Sequence, residues 1–485
     1  EPYEQAIQQH ARNQDIEDGI PRLYLYAQLL LAVDGAQGKY ATAGTDGKFW
    51  AVWKEKYDSS AAESAAETEL LNIKNERKPE AWDAIFQGEM GYARPYFEAQ
   101  YAQPVALTGQ DRLMAHLLRP ERLLELAYRF IVFDGGIKKV ARYQQYFAVQ
   151  RALARIKQRQ AGKRKGGVIW HTQGSGKSLT MVMLAKAIAL EASIPNPRVI
   201  IVTDRIDLDD QITKTFKNCG KETYQAKSGA HLMKLLREGK AEIITTILDK
   251  FYKPQEENYV EDSPNVFILV DESHRSQYGE ANIRMQQVLP NACFVGFTGT
   301  PLMKKEKNTA HKYGGYIDKY TIDQAMQDGA VVPLLYEGRE IPLAVNKGPL
   351  DRYFELVSRD LSDKQKADLK KRFARAKELS QADQRLYMIA YDVSDHYARN
   401  WQQTEFKAQL TAPSKLAAIR LQEHFRTIGK VSTAIVVSPP DTREASDNPN
   451  TASLDEVQRF WKDMMKQYGS AKNYQDKLIE QFKKS

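Results

Sequence analysis

Between Lys138 and about Glu337 the chain alternates short, unbroken apolar runs with stretches of helical length, and few folds accept that rhythm. The runs are Gly167-Val168-Ile169-Trp170, Val199-Ile200-Ile201-Val202, Ile243-Ile244-Thr245-Thr246, Val266-Phe267-Ile268-Leu269-Val270 and Cys293-Phe294-Val295-Gly296-Phe297. Continuous β-branched and aromatic runs without polar alternation suit strands covered on both faces, the condition of a parallel sheet. The segments Leu179–Ala192, His231–Glu238 and Ala281–Leu289 supply helical crossovers between them. The expected fold is α/β, a doubly wound parallel sheet whose ligand sits at the carboxyl ends of the strands.

The turn after the first run carries the strongest chemical signal. His171-Thr172-Gln173-Gly174-Ser175-Gly176-Lys177-Ser178 joins a strand to the helical Leu179–Lys186. Backbone N–H groups of a glycine-rich turn and a helix N-terminus form an anion cradle; Lys177 adds a cation for the β- and γ-phosphates, and Ser178 can hold Mg²⁺. The phosphate-loop pattern G-x-x-x-x-G-K-[ST] is met except at its first glycine, where His171 stands.

A second turn, Asp271-Glu272-Ser273-His274, follows the run Val266–Val270. Next to a bound nucleotide, Asp271 would hold Mg²⁺ through its water shell and Glu272 would orient and deprotonate an attacking water. A third, Phe297-Thr298-Gly299-Thr300-Pro301, places small hydroxyls at another strand end, where Thr298 and Thr300 can bond the acidic pair and a neighbouring domain. Thr203-Asp204-Arg205 and Thr245-Thr246 follow their own strands on the same edge. Hydroxyls and an arginine there, on Thr203, Arg205, Thr245 and Thr246, suit a nucleic-acid backbone.

Composition supports a polyanionic partner without proving one, with a net charge of +8. Lys157, Arg159, Lys163, Arg164 and Lys165 cluster before the phosphate loop, and Lys364, Lys366, Lys370, Lys371, Arg372, Arg375 and Lys377 form a second basic run; each reads equally well as a solvated helix face. The longest apolar run, near Leu25–Val33, is broken by Gln28 and falls short of the roughly 20 residues that cross a membrane. Cys219 and Cys293 offer neither a metal-ligand spacing nor a disulfide framework, which points to ordinary core thiols in a reducing cytoplasm. Leu23–Val33 reads as a strand; Lys407–Thr411 and Ser432–Val437, flanking a helix at Lys415–Ile428, read as the opening strands of a further α/β domain.

The ordered set of these turns resembles the first motor domain of a superfamily 2 helicase or translocase, in which the first glycine of the phosphate loop is often replaced. More narrowly, the chain resembles the R (motor and restriction) subunit of type I restriction enzymes. The likeness runs through Arg142-Tyr143-Gln144-Gln145-Tyr146-Phe147-Ala148-Val149, His171–Ser178, Asp271–Gly279, Phe297–Leu302, Tyr320-Thr321-Ile322, Asp328-Gly329-Ala330 and Tyr336-Glu337-Gly338-Arg339.

That resemblance implies an ATP-driven double-stranded DNA translocase that uses ATP and Mg²⁺ and works with methyltransferase (M) and specificity (S) subunits in the cytoplasm. Gln145 would read adenine, and His274 would join Thr298 and Thr300 in coupling. The implied architecture is a RecA-like motor domain at 138–337. Ahead of it lie the end of a restriction-nuclease-like α/β domain at 1–108 and a helical connector at 109–137; a partial second RecA-like domain follows at 338–485. The family's nuclease carboxylates are not matched: Glu76-x-Lys78 and Glu238-x-Lys240 read as surface charge, and Asn13 stands where a tyrosine is expected after Gln9. Nor do Arg443 and Arg459 sit in a Gly-Arg-x-x-Arg context, so nuclease and arginine half-sites are expected outside this sequence. Two other readings stay open: a different superfamily 2 DNA helicase, and an ATP- and DNA-binding module without turnover.

Overall fold

The computed structural model describes residues 2–76, 78–203, 206–271, 280–300, 314–339, 383–440 and 451–484, with Ser362 and Lys366. The chain forms two compact units, Glu1–Leu334 and Leu335–Ser485. None of the described helices is long and apolar enough to cross a membrane.

Three small antiparallel hairpins precede the main sheet of the first unit: β1 (Leu30–Val33) with β2 (Gly38–Ala41), β3 (Ile131–Asp134) with β4 (Ile137–Val140), and β5 (Arg159–Gln160) with β6 (Lys163–Arg164). The last turns at Ala161 and Gly162, both at positive φ, as a two-residue hairpin requires. Then come β7 (Gly167–His171), β8 (Arg198–Thr203), β9 (Tyr224–Gln225), β10 (Ile243–Ile247), β11 (Val266–Val270), β12 (Cys293–Thr298) and β13 (Tyr316–Tyr320). They form one sheet in the order β13-β7-β12-β11-β8-β10-β9, and every pair is parallel. The expected RecA-like α/β architecture is therefore present.

Successive strand residues enter different cores, which explains the absence of polar alternation. Ile169, Val199, Ile201, Phe267, Leu269, Val295 and Phe297 pack on one face with the helices Tyr143–Lys157, Lys177–Ala189 and Ile206–Asn218. Val168, Ile200, Val202, Ile244, Ile268 and Val270 pack on the other, against Leu232 and Leu236 of the helix Gly229–Glu238 and Met285 and Val288 of the helix Glu280–Val288. Cys293 lies in the first core and burial pushes its thiol up to about 12; Cys219 is half-buried, with its thiol pushed up to about 11.

The N-terminal residues share the first of these cores, to which Tyr40, Trp53, Leu113 and Leu117 contribute. Arg122 grips Glu55 through two hydrogen bonds of 2.9 and 3.2 Å and lies over the Tyr146 ring at 4.5 Å. The strand expected over Leu23–Val33 is shorter than its apolar run. Pro21 opens a helix through Tyr26, because its fixed φ suits a first helical turn, and only Leu30–Val33 pairs.

In the second unit the helices Asp383–Asn400 and Lys415–Ile428 pack through Leu386, Ala390, Ala417, Leu421 and Phe425. Ser414 caps the second of these by accepting from Ala417 N–H, and Gly429 ends it at φ +68°. The strands expected at Lys407–Thr411 and Ser432–Val437 are corrected. Among the described residues neither is a strand and neither has a neighbour that completes a ladder of backbone hydrogen bonds.

Candidate functional site

A parallel sheet brings all its strand exits to one edge, and the motifs follow from that. The phosphate loop leaves β7, the Thr298-Gly299-Thr300 turn leaves the neighbouring β12, and Asp271 follows β11, the next strand across. Along the sheet they run β7-β12-β11, although the chain reaches β11 before β12, so exits far apart in sequence share the carboxyl edge, where ligands of doubly wound sheets bind.

The loop's shape depends on two glycines. Gly174 has φ +80° and Gly176 φ +83°, a left-handed conformation that side chains other than glycine's resist. Gly176 caps the helix Lys177–Ala189, and its carbonyl accepts from Thr180 N–H, the Thr180 hydroxyl and Gln145 Nε2 at 3.0 to 3.1 Å. Ser175 Oγ donates to Thr172 O at 2.6 Å, folding the loop on itself. Gln173 and Gly174 are exposed at its crest, and Ser178 is half-buried in the first helical turn.

Gly299 presses the neighbouring turn against this loop. A Cβ built on Gly299 would lie 3.3 Å from Gln173 N and 3.4 Å from Lys177 Nζ. Trp170 Nε1 donates to Gly299 O at 3.2 Å, and Thr300 N–H donates to Thr298 Oγ1 at 3.2 Å. Asp271 N–H donates to Val202 O at 2.9 Å, tying that exit to β8. Backbone at positive φ, a bare Cα beside an ammonium and a carboxylate at a nearby strand exit fit a phosphate chain with a divalent cation.

The expected residues divide. Thr172, Gln173, Gly174, Ser175, Gly176, Lys177 and Ser178 form the loop, with Thr298, Thr300 and Asp271 at neighbouring exits on its edge. Glu272, His274 and Arg205 lie outside the described residues, as does the basic run from Lys364 to Lys377 apart from Lys366. Thr203, Thr245 and Thr246 are buried, and Thr245 shares a 2.7 Å hydrogen bond with Thr213. A sheet covered on both faces turns these three side chains into its packing. Gln145 is also buried. Besides donating to Gly176 O, it accepts from Arg142 N–H at 2.9 Å, so both ends of its amide hold protein backbone.

The basic cluster before the loop belongs to the opposite, amino end of β7. Lys157 pairs with Glu191, Lys163 donates to Pro290 O, and Arg164 is buried on Asn265 and the Phe267 ring. It serves the fold.

Two acids without a role in the sequence motifs proved to be hubs. Asp318 of β13 meets His171 Nε2 at 2.8 Å, Arg151 at 2.7 Å and Lys56 at 2.9 and 3.0 Å. Burial pushes its carboxyl up, but the His171 hydrogen bond and the Lys56 charge outweigh that and hold it below the ordinary value. Burial lowers the basicity of His171, against the pull of Asp318, so the imidazole is neutral. Asp328 accepts from Lys54, Tyr143 and Tyr320. The available signal was faint: one acid among the aromatic residues of Tyr316–Tyr320.

Comparison with known proteins bears directly on this edge. The SWI2/SNF2 ATPase family matches residues 144–367, from the helix bearing Gln145 through all these strand exits. A putative type I restriction enzyme endonuclease subunit, MjaIXP, of Methanocaldococcus jannaschii is 29% identical over 459 residues, 92% of this chain and 41% of the relative. The HindI type I restriction endonuclease subunit of Haemophilus influenzae is 29% identical over 470 residues, 89% of this chain and 40% of the relative.

The chain is similar in sequence to type I restriction endonuclease subunits.

It spans about two fifths of the length of these restriction subunits. A solved nuclease-deletion mutant of the type ISP restriction-modification enzyme LlaGI, in complex with a DNA substrate mimic, is 18% identical. That likeness covers 39% of this chain and 18% of the other with a TM-score of 0.32, too low to carry weight. The match to the SWI2/SNF2 ATPase family and the parallel sheet agree on a RecA-like α/β domain.

Proposed function

We propose that this chain is the motor portion of a type I restriction R subunit, which hydrolyses ATP to pull double-stranded DNA before a nuclease domain cuts it. The observation that carries the reading is the approach of Lys177 Nζ and the Gln173 backbone to Gly299, on the edge that also bears Asp271. Such an edge can hold a phosphate chain and feel its hydrolysis through a turn that a neighbouring domain could read. Kinship with restriction endonuclease subunits supports DNA as the substrate.

In this reading the N–H groups of Gln173, Gly174 and Gly176 and the Lys177 ammonium bind the phosphates, Thr172 and Ser175 shape the loop that presents them, and Ser178 and Asp271 hold Mg²⁺. Bound Mg·ATP supplies the phosphoanhydride bond whose cleavage drives movement. Glu272 takes a proton from the attacking water. Gln145 sets Gly176 and takes the adenine with what remains of its amide's hydrogen-bonding capacity. Thr298, Thr300 and His274 pass the nucleotide state on, and Arg205 contacts the DNA backbone. The M and S subunits supply site recognition, the assembly is cytoplasmic, and residues 1–108 and 338–485 are the adjoining nuclease-like and second motor segments.

Lys177→Ala should abolish nucleotide binding in the complete protein. Glu272→Gln should leave binding intact and stop DNA-stimulated hydrolysis; full hydrolysis by that variant would remove Glu272 as the base. Triplex displacement without duplex unwinding is the expected motor signature, and unwinding without triplex displacement would favour a strand-separating helicase instead.

A further inference from the structure

The residue that breaks the phosphate-loop pattern is also the one most firmly held by the sheet. His171 stands where the pattern has its first glycine, and its side chain is fully buried against the equally buried Asp318 carboxylate at 2.8 Å. Asp318 is fixed in turn from two other elements, by Arg151 of the helix Tyr143–Lys157 and by Lys56 of the N-terminal segment. The same edge strand grips the following residue as well: Thr172 N–H donates to Tyr320 O at 3.0 Å. A glycine at 171 would keep the backbone pairing with β13 but leave the Asp318 carboxylate no side chain of the loop to hold.

We infer that Asp318 and His171 are a positioning pair: Asp318, acting through the His171 imidazole, sets where the phosphate loop leaves β7. This rests on the reading of the loop as a nucleotide site. Burying a carboxylate with two cations and an imidazole is costly, and an apolar cluster of similar volume would serve stability as well or better. The His171 Nδ1 is buried with no hydrogen-bond partner, a further cost, sustained at the entrance to the loop. What the arrangement provides is direction. With Nε2–H pointed at a carboxylate that Arg151 and Lys56 hold in place, the ring has one orientation, and the loop behind it is organised before any anion arrives.

The test uses the complete protein, titrated with a fluorescent ATP analogue and Mg²⁺, and melted without nucleotide. A glutamine at 171 places its amide nitrogen near the position of Nε2, whereas an asparagine places it near Nδ1. His171→Gln should therefore bind within about twofold of the wild type. His171→Asn and Asp318→Asn should each bind about tenfold more weakly, the size of one charge-assisted hydrogen bond. The double variant H171N/D318N should be no weaker than either single one, because both remove the same link. Equal behaviour of H171Q and H171N, or additive losses in the double variant, would overturn the pair while leaving the nucleotide site standing. A wild-type protein that binds no nucleotide would overturn the site itself. If D318N does not fold, the comparison of H171Q with H171N decides alone.

Discussion

Gly176 shows how much one residue of the loop is asked to do. Its φ of +83° would cost another residue about 1–2 kcal/mol. An added Cβ would also come within 2.7 Å of Gln145 Nε2, the atom that donates to the Gly176 carbonyl. Gly176→Ala should therefore weaken nucleotide binding by at least about tenfold, since strain and a lost hydrogen bond together exceed 1.4 kcal/mol. A nucleotide titration beside a thermal melt checks it, and unchanged affinity would mean that the loop tolerates displacement of Gln145. The need for glycine here could be read from the pattern of residues. The link to Gln145 could not, because 31 positions separate the two and no local rule connects them.

At the scale of elements, the strands do two jobs at once. Phe297 is fully buried in the core on one face of the sheet and is followed directly by Thr298 and Gly299. Phe297→Ala should cost about 3–5 kcal/mol by opening a cavity. It should also loosen the turn that lies on Lys177, so that denaturant unfolding and nucleotide affinity fall together. A drop in stability with no change in affinity would separate the turn from the strand that carries it. The central strands were legible because burial on both faces leaves unbroken apolar runs. At Lys407–Thr411 and Ser432–Val437 strand-like composition was not enough: it states what a segment tolerates, and among the described residues neither has the paired neighbour that makes a strand.

For the molecule as a whole, the buried polar hub ties stability to pH. His171 is held neutral in the fold, below its ordinary value, so the unfolded chain binds its proton first as pH falls. Its contribution is complete above about pH 6.5 and declines below it. Asp318 is also depressed, so its contribution is present above about pH 3.9 and is lost as pH falls through its lower folded value. Melting temperature should fall between pH 6.5 and 4 and fall further below that, and His171→Gln should flatten the upper limb. A wild-type profile that is level between pH 7 and 5 would contradict the burial of a neutral imidazole.

By itself the sequence determined that a parallel α/β sheet carries a phosphate loop, an acidic turn and a threonine turn on one edge. Those features are local: unbroken apolar runs, a glycine-rich turn and acids at a strand exit declare themselves within a few residues. Only the tertiary structure decided which side chains are buried and which distant residues meet. It turned Thr203, Thr245 and Thr246 inward, spent the basic cluster around Arg164 on the fold, and brought Lys56, Arg151 and Asp318 to His171. Lys56 and Asp318 are 262 positions apart, and their meeting depends on how the N-terminal segment and an edge strand pack together, which no window of sequence contains.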